Sequence, residues 1–192
     1  MIGHCQFITS PMKSLLLLLP FVALLASCGT VSSVQPATGA TVGGKAYSKV
    51  VVRDFAYRGA ADQENGPVSG KNFPNYVSAE IAKKNAFGSV ARSGKADANT
   101  LVVEGEITRF VEGNAALRAL VGLGAGSSYF DASVRFVDGG NGAVVGTMTA
   151  DKNSWVLGGG LAAGQTVETF MHGAAQKVAG ESVKFSKGAA QR

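Results

Sequence analysis

Apolar and polar positions alternate from Leu101 to Thr108. Leu101, Val103, Gly105 and Ile107 face one way, and Val102, Glu104, Glu106 and Thr108 the other, which predicts a half-buried strand. Glu112-Gly113-Asn114 interrupts it. Asn114 can cap a short helix over AALRALV, whose Ala and Leu content suits that state, and Gly122, Gly124 and Gly126 stop the helix from extending. Alternation resumes from Tyr129 to Asp138 with Phe130, Ala132, Val134 and Phe136 on one side. Asp138-Gly139-Gly140-Asn141-Gly142 is a strong turn signal, so Ala143–Ala150 is expected as the hairpin partner. Trp155 and Gly158-Gly159-Gly160 read as a further loop.

Two longer elements flank this centre. Tyr47 to Phe55 is a strand built on Val50, Val51 and Val52. Residues 56–72 read as a polar loop, after which Pro74 is expected to open a helix with Val77, Ile81 and Phe87 on its apolar side, Lys83 and Lys84 outward and Gly88 as terminator. Ser93–Asn99 is a polar connection. From Thr166 to Lys187, Val167, Phe170, Met171, Ala174, Val178 and Phe185 recur at helical spacing. Thr166 can cap that helix, Glu168 suits its first turn, and Lys184 and Lys187 its last. The order strand, helix, three strands, helix predicts an α+β two-layer sandwich, β-α-β-β-β-α, with an antiparallel or mixed sheet and both helices on one face. The chain shows no internal repeat.

The amino terminus follows another logic. Met12 and Lys13 precede an unbroken apolar run from Leu15 to Ala26, followed by Leu25-Ala26-Ser27-Cys28 overlapping its end. A positive start, a short apolar run and small residues before a cut describe a secretory signal over residues 1–27, too short to span a bilayer. Met12 opens that signal more cleanly than Met1 and is the expected start of translation. Residues 25–28 resemble a bacterial lipobox. The resemblance implies cleavage between Ser27 and Cys28 and a lipid on the Cys28 thiol, the nucleophile that carries the diacylglyceryl group. Gly29, rather than aspartate, after the cysteine implies sorting to the inner leaflet of the outer membrane, facing the periplasm. Acyl chains in the plural hold a protein stably at a membrane. Residues 28–45, rich in Ser, Thr, Gly and Pro, cannot bury a core and read as a tether with an r.m.s. reach of roughly 20–25 Å. Residues 46–188 form the single folded domain, and 189–192 a tail.

Charge narrows the partners. The formal net charge is +5, and removal of Lys13 with the signal leaves +4. The basic residues are scattered, without the stripe and interleaved aromatics that nucleic acid requires. Once Cys28 is lipidated the processed chain holds no free thiol, so no disulfide or thiolate metal site is expected within it.

Several residues could carry chemistry. Gly122-x-Gly124-x-Gly126 lacks the Lys-Ser/Thr of a phosphate loop and is followed by a strand, so it reads as close packing; alternatively Leu117 to Leu123, with Arg118, forms an apolar lip that docks a partner or lipid. Glu104 and Glu106 share a strand face and could act as an acid–base pair on a glycan, although a solvated face explains them as well. His172, the one histidine left once residues 1–27 are removed, lies four residues after Glu168, a helical neighbour pair, and a single imidazole without a thiol does not make a transition-metal site. No metal, cofactor or catalytic set is expected.

The pieces Gly105-Glu106-Ile107, Phe110, Glu112-Gly113-Asn114, Leu117-Arg118, Gly122-Leu123-Gly124-Ala125-Gly126 and the strand from Phe130 to Asp138 resemble the bacterial lipoproteins grouped as domain of unknown function family 4410. The likeness runs from about Tyr47 to Lys184. It implies an envelope lipoprotein with a small α+β domain and brings no activity. More distantly, Val50–Phe55 and the element order are similar to small envelope lipoproteins that activate peptidoglycan synthases or build secretion pores, a likeness of fold alone. The expected function is non-enzymatic binding of an envelope protein or peptidoglycan, with a homo-oligomeric envelope assembly as the alternative and a glycan-acting enzyme behind both.

Overall fold

A computed structural model describes residues 45–121, 125–153 and 166–188. Six strands and three helices lie among them: β1 (Lys49–Val52), β2 (Ala56–Tyr57), α1 (Gly66–Lys83), β3 (Ser89–Ala91), β4 (Thr100–Val111), α2 (Ala115–Leu120), β5 (Tyr129–Asp138), β6 (Val144–Asn153) and α3 (Val167–Ser186). One open mixed sheet runs β3-β1-β4-β5-β6, with β2 on the same side of β4 as β1 and beyond it. β1, β2 and β3 are parallel to their neighbours, and β4-β5-β6 is an antiparallel meander. α1 and α3 pack together on one face, so the expected α+β sandwich with both helices on one side is the observed architecture.

The alternation along β4 explains which face is covered. Leu101, Val103 and Ile107 point under the helices with Phe130, Val134 and Phe136 of β5, while Glu104 and Glu106 point to the uncovered side. A bulge between Ile107 and Arg109 then adds one residue to β4. Thr108 and Arg109 are both exposed, and Phe110 is returned to the core opposite Phe130. Without that extra residue Phe110 would face solvent.

The first helix starts eight residues before Pro74, which lies inside it instead of opening it. Pro67 occupies the first turn, where its missing N–H costs nothing. Pro74 cannot donate to the carbonyl of Gly70 one turn earlier. That carbonyl accepts the Phe55 amide instead, at 2.9 Å. Gly70 permits the approach, since a Cβ there would lie 2.4 Å from the Phe55 oxygen. The proline therefore releases a helix carbonyl that the link between β1 and β2 uses. The helix stops at Lys84 and Asn85, the latter at φ 51°, three residues before the expected Gly88. Thr166 and Asn114 cap their helices as expected, accepting from the amides of Thr169 and Leu117.

At the end of the domain where residue 45 enters, the chain is fastened several times. Tyr47 donates its amide to Phe185 O at 3.0 Å, tying β1 to the end of α3. Its hydroxyl donates to Asp138 Oδ2 at 3.0 Å, the Lys45 ammonium reaches the same oxygen, and the Gly140 amide donates to Oδ1 at 2.7 Å. Burial by itself would raise the Asp138 pKa. Lys45, the Gly140 amide and Tyr47 outweigh it and hold the carboxyl below its ordinary value. Burial first, then the bond to Asp138, push the Tyr47 hydroxyl well above the usual tyrosine range. A folded pKa below the unfolded one stabilises at pH above the ordinary carboxylate value and loses that contribution as pH falls through the folded value. Asp138→Asn should therefore cost about 1–2 kcal/mol near neutral pH, discounted because Lys45 is partly exposed. The difference between variant and wild type should shrink below about pH 4. Urea unfolding of both proteins from pH 3 to 8 checks this; a gap that persists into acid would assign the loss to shape instead of charge.

Candidate functional site

The carboxyl ends of β4 and β6 and the amino ends of β5, α1 and α3 all lie at the end of the domain opposite residue 45, as the pairing directions require. β4 is twelve residues long, so the two ends are separated by roughly 40 Å. The segment between β4 and β5 projects from the far end. Its base is closed by Ser128 Oγ donating to Glu112 O and by the Asn114 amide donating to Gly126 O at 2.8 Å. The Arg109 guanidinium lies 3.6 Å over the Tyr129 ring and braces the same base. Asn65 at the start of α1 donates to Glu112 Oε1 at 3.0 Å and joins the segment to the helix layer.

What this closed base carries is apolar and uncovered. Leu117 is 46% exposed, Leu120 85% and Val121 60%. These are three of the four large exposed apolar side chains among the described residues; the fourth, Val68 in the first turn of α1, sits at the same end. Leu117 and Arg118 both belong to α2, and Leu123 lies outside the described residues. Leu120 and Val121 fall inside the apolar lip expected from Leu117 to Leu123, although the sequence pattern named only its ends and Arg118. At the same end of the domain a cavity of about 200 Å³ opens between the amino-terminal parts of α1 and α3, lined by Val68, Tyr76, Phe110 and Met171 with Asn65, Glu112 and Glu168.

The other candidates take up structural partners. Glu104 is held from both sides, by Arg53 Nη1 at 3.3 Å and Arg135 Nη2 at 2.9 Å, and Glu106 lies 3.7 Å from Arg58 Nε. The Glu168 carboxylate accepts the Tyr76 hydroxyl at 2.9 Å, and His172 stacks on the Tyr76 ring with centroids 3.9 Å apart. Burial, with the Glu168 bond next, raises the Tyr76 pKa. The expected His172–Glu168 neighbour pair is thus mediated by an aromatic ring from α1. Ser27 and Cys28 lie outside the described residues, as do Trp155 and Gly158–Gly160. No helix among the described residues is long and apolar enough to cross a membrane.

The fold, an open mixed sheet with two helices packed on one face, has solved relatives. The PelC dodecamer from Paraburkholderia phytofirmans matches at a TM-score of 0.52 and 15% identity over 85% of this chain and 99% of that one. A point variant of that PelC in another crystal form matches at 0.50 and 14%, over 77% and 95%. A Xanthomonas campestris protein of family DUF330 matches at 0.47 and 12%, over 82% and 94%. At such identities the PelC likenesses establish the fold. The family model Domain of unknown function (DUF4410) covers residues 48–158, and this chain belongs to that family. No curated protein matches the chain.

Proposed function

We propose that this protein is a lipid-anchored envelope protein that binds a protein partner through the far end of its domain and performs no chemistry of its own. The observation that carries the proposal is the separation of two ends. The described chain enters the domain at Lys45, where the proposed tether from Cys28 would join it, and Leu117, Leu120 and Val121 stand uncovered at the opposite end. A lipid on Cys28 supplies membrane attachment, so the body needs no anchor of its own. An apolar cluster displayed on a closed base is the kind of surface that a protein partner covers. Double pairing of Glu104 with Arg53 and Arg135 supports an ion-pair role for that carboxylate over an acid–base one. A second reading, a subunit of a homo-oligomeric envelope assembly, is favoured by the fold shared with the PelC dodecamer.

Photo-reactive residues at Leu117 and Leu120 of the full chain, expressed in cells, test both readings, with Lys177 on the exposed side of α3 as control. One recurrent heterologous protein crosslinked from the α2 positions and not from Lys177 is the expected result. Self-crosslinks alone would favour the assembly. Equal, diffuse labelling from all three positions would refute the docking role of α2. Glu106→Gln with an unaltered phenotype would count against the enzyme alternative.

A further inference from the structure

A crevice at the β3 edge of the sheet is unrelated to α2. β1 and β3 lie side by side and parallel, and their continuations diverge. After Val52 the chain runs along β4, with the Arg53 amide donating to Val103 O at 2.9 Å and β2 pairing Glu106 and Ile107. After Ala91 the chain leaves past the other side and returns to β4 only at Thr100. In open sheets with parallel strands, ligands bind in the gap outside the carboxyl ends of adjacent strands whose continuations separate. Here that gap is a cavity of about 600 Å³ lined by Val51, Arg53, Asp54, Lys71, Asn75, Arg92, Ser93 and Gly94.

The lining has a fixed part and an available part. β3 has three residues and ends before β1 does, so the Val52 carbonyl has no strand partner on that side. Arg92 takes that place: its Nη1 donates to Val52 O, its Nε to Asn75 Oδ1 at 2.8 Å, and its Nη2 to Asp54 Oδ1 at 2.5 Å. All three nitrogens are engaged, so Arg92 is a frame. Among the described residues Lys71 has no acidic partner, and Arg53 makes one side-chain hydrogen bond, at 3.3 Å to Glu104. Of the three cations that line the cavity, Arg92 is paired with Asp54 and Arg53 reaches Glu104, a carboxylate that Arg135 also holds, so Lys71 carries the uncompensated charge.

We propose that this crevice binds an acidic sugar, a saccharide bearing a carboxylate or a phosphate ester. Lys71 and Arg53 meet the anion. The Asn75 amide and Ser93 hydroxyl meet the sugar hydroxyls, and the side chain of Val51 underlies the ring. The volume suits a sugar and far exceeds a bare anion. The lining is too polar for an acyl chain. This inference does not depend on the docking role of α2.

The test uses the full chain in detergent micelles, titrated calorimetrically with trigalacturonate, glucose 6-phosphate and neutral maltotriose. Trigalacturonate or glucose 6-phosphate should bind, maltotriose should not, and affinity should fall as salt rises. Lys71→Ala and Arg53→Gln should each weaken binding about tenfold, as loss of a charge-assisted hydrogen bond does, with melting temperatures kept near wild type. Lys177→Ala should leave it unchanged. Binding of the uronate alone assigns the site to carboxylated glycans, and of the phosphate ester alone to phosphorylated ones. Binding of neither, equal binding of maltotriose, or affinity indifferent to both substitutions would overturn the proposal.

Discussion

Gly105→Ala is expected to cost about 3 kcal/mol or more, at the upper end of what overpacking does. A Cβ at Gly105 would stand 2.0 Å from Ser133 O and 2.8 Å from Phe55 Cε1. The first contact is backbone of the neighbouring strand, which cannot rotate away. The second is a buried ring already fixed edge-on to Phe73, with centroids 5.2 Å apart. Either β4 and β5 separate around the Gly105–Val134 pair or Phe55 leaves its place, and either change breaks packing on both sides of the sheet centre. Urea unfolding of the full chain followed by circular dichroism reads the loss directly. A cost under about 1 kcal/mol would mean that the two strands can spread at little expense, contrary to the tight packing of protein interiors.

Phe73→Ala should be as damaging for the opposite reason, about 3–5 kcal/mol by the cost of emptying a buried aromatic site. Phe73 is fully buried and lies between Phe55 and Phe130, the latter at 4.8 Å between centroids. It is the side chain through which α1 meets both the parallel and the antiparallel parts of the sheet. Phe73→Leu restores most of the volume and should recover more than half of the loss. If Ala and Leu proved equally destabilising, ring geometry and not volume would set the energy. The same unfolding experiment distinguishes the two.

Strong periodicity made β4, β5 and α3 legible in the sequence, because each has a single covered face and a long enough run to display it. α2 was legible from Asn114 and its Ala–Leu content. The errors fall where tertiary contact overrides a local rule. Pro74 looked like a helix start because an internal proline normally breaks one; here the carbonyl it frees at Gly70 is taken by Phe55, a residue 15 positions earlier in the chain. The polar stretch before it then reads as loop, although Pro67 had marked the true first turn. β2 and β3, two and three residues long, are too short for any period to register. Asn85 ended α1 through a left-handed conformation that glycine usually supplies. Of the candidate sites, the apolar lip at Leu117 was visible as composition. The crevice around Arg92 was not, because Lys71, Arg53 and Ser93 come from three separate segments and share no motif.

The position of β1 decides how the domain meets a mechanical load. A pull on the chain at Lys45 reaches β1 from its amino end, in line with the strand. β1 is bonded on both flanks, to β3 and to β4, in parallel register. A pull in that direction loads those bonds in shear, all together, whereas a pull across the strand would open them one after another. The fastenings at Asp138 and Phe185 O stand ahead of them and must yield first. Under the proposed anchoring, a partner moving at the far end would load the domain in this shearing direction and not across the strands.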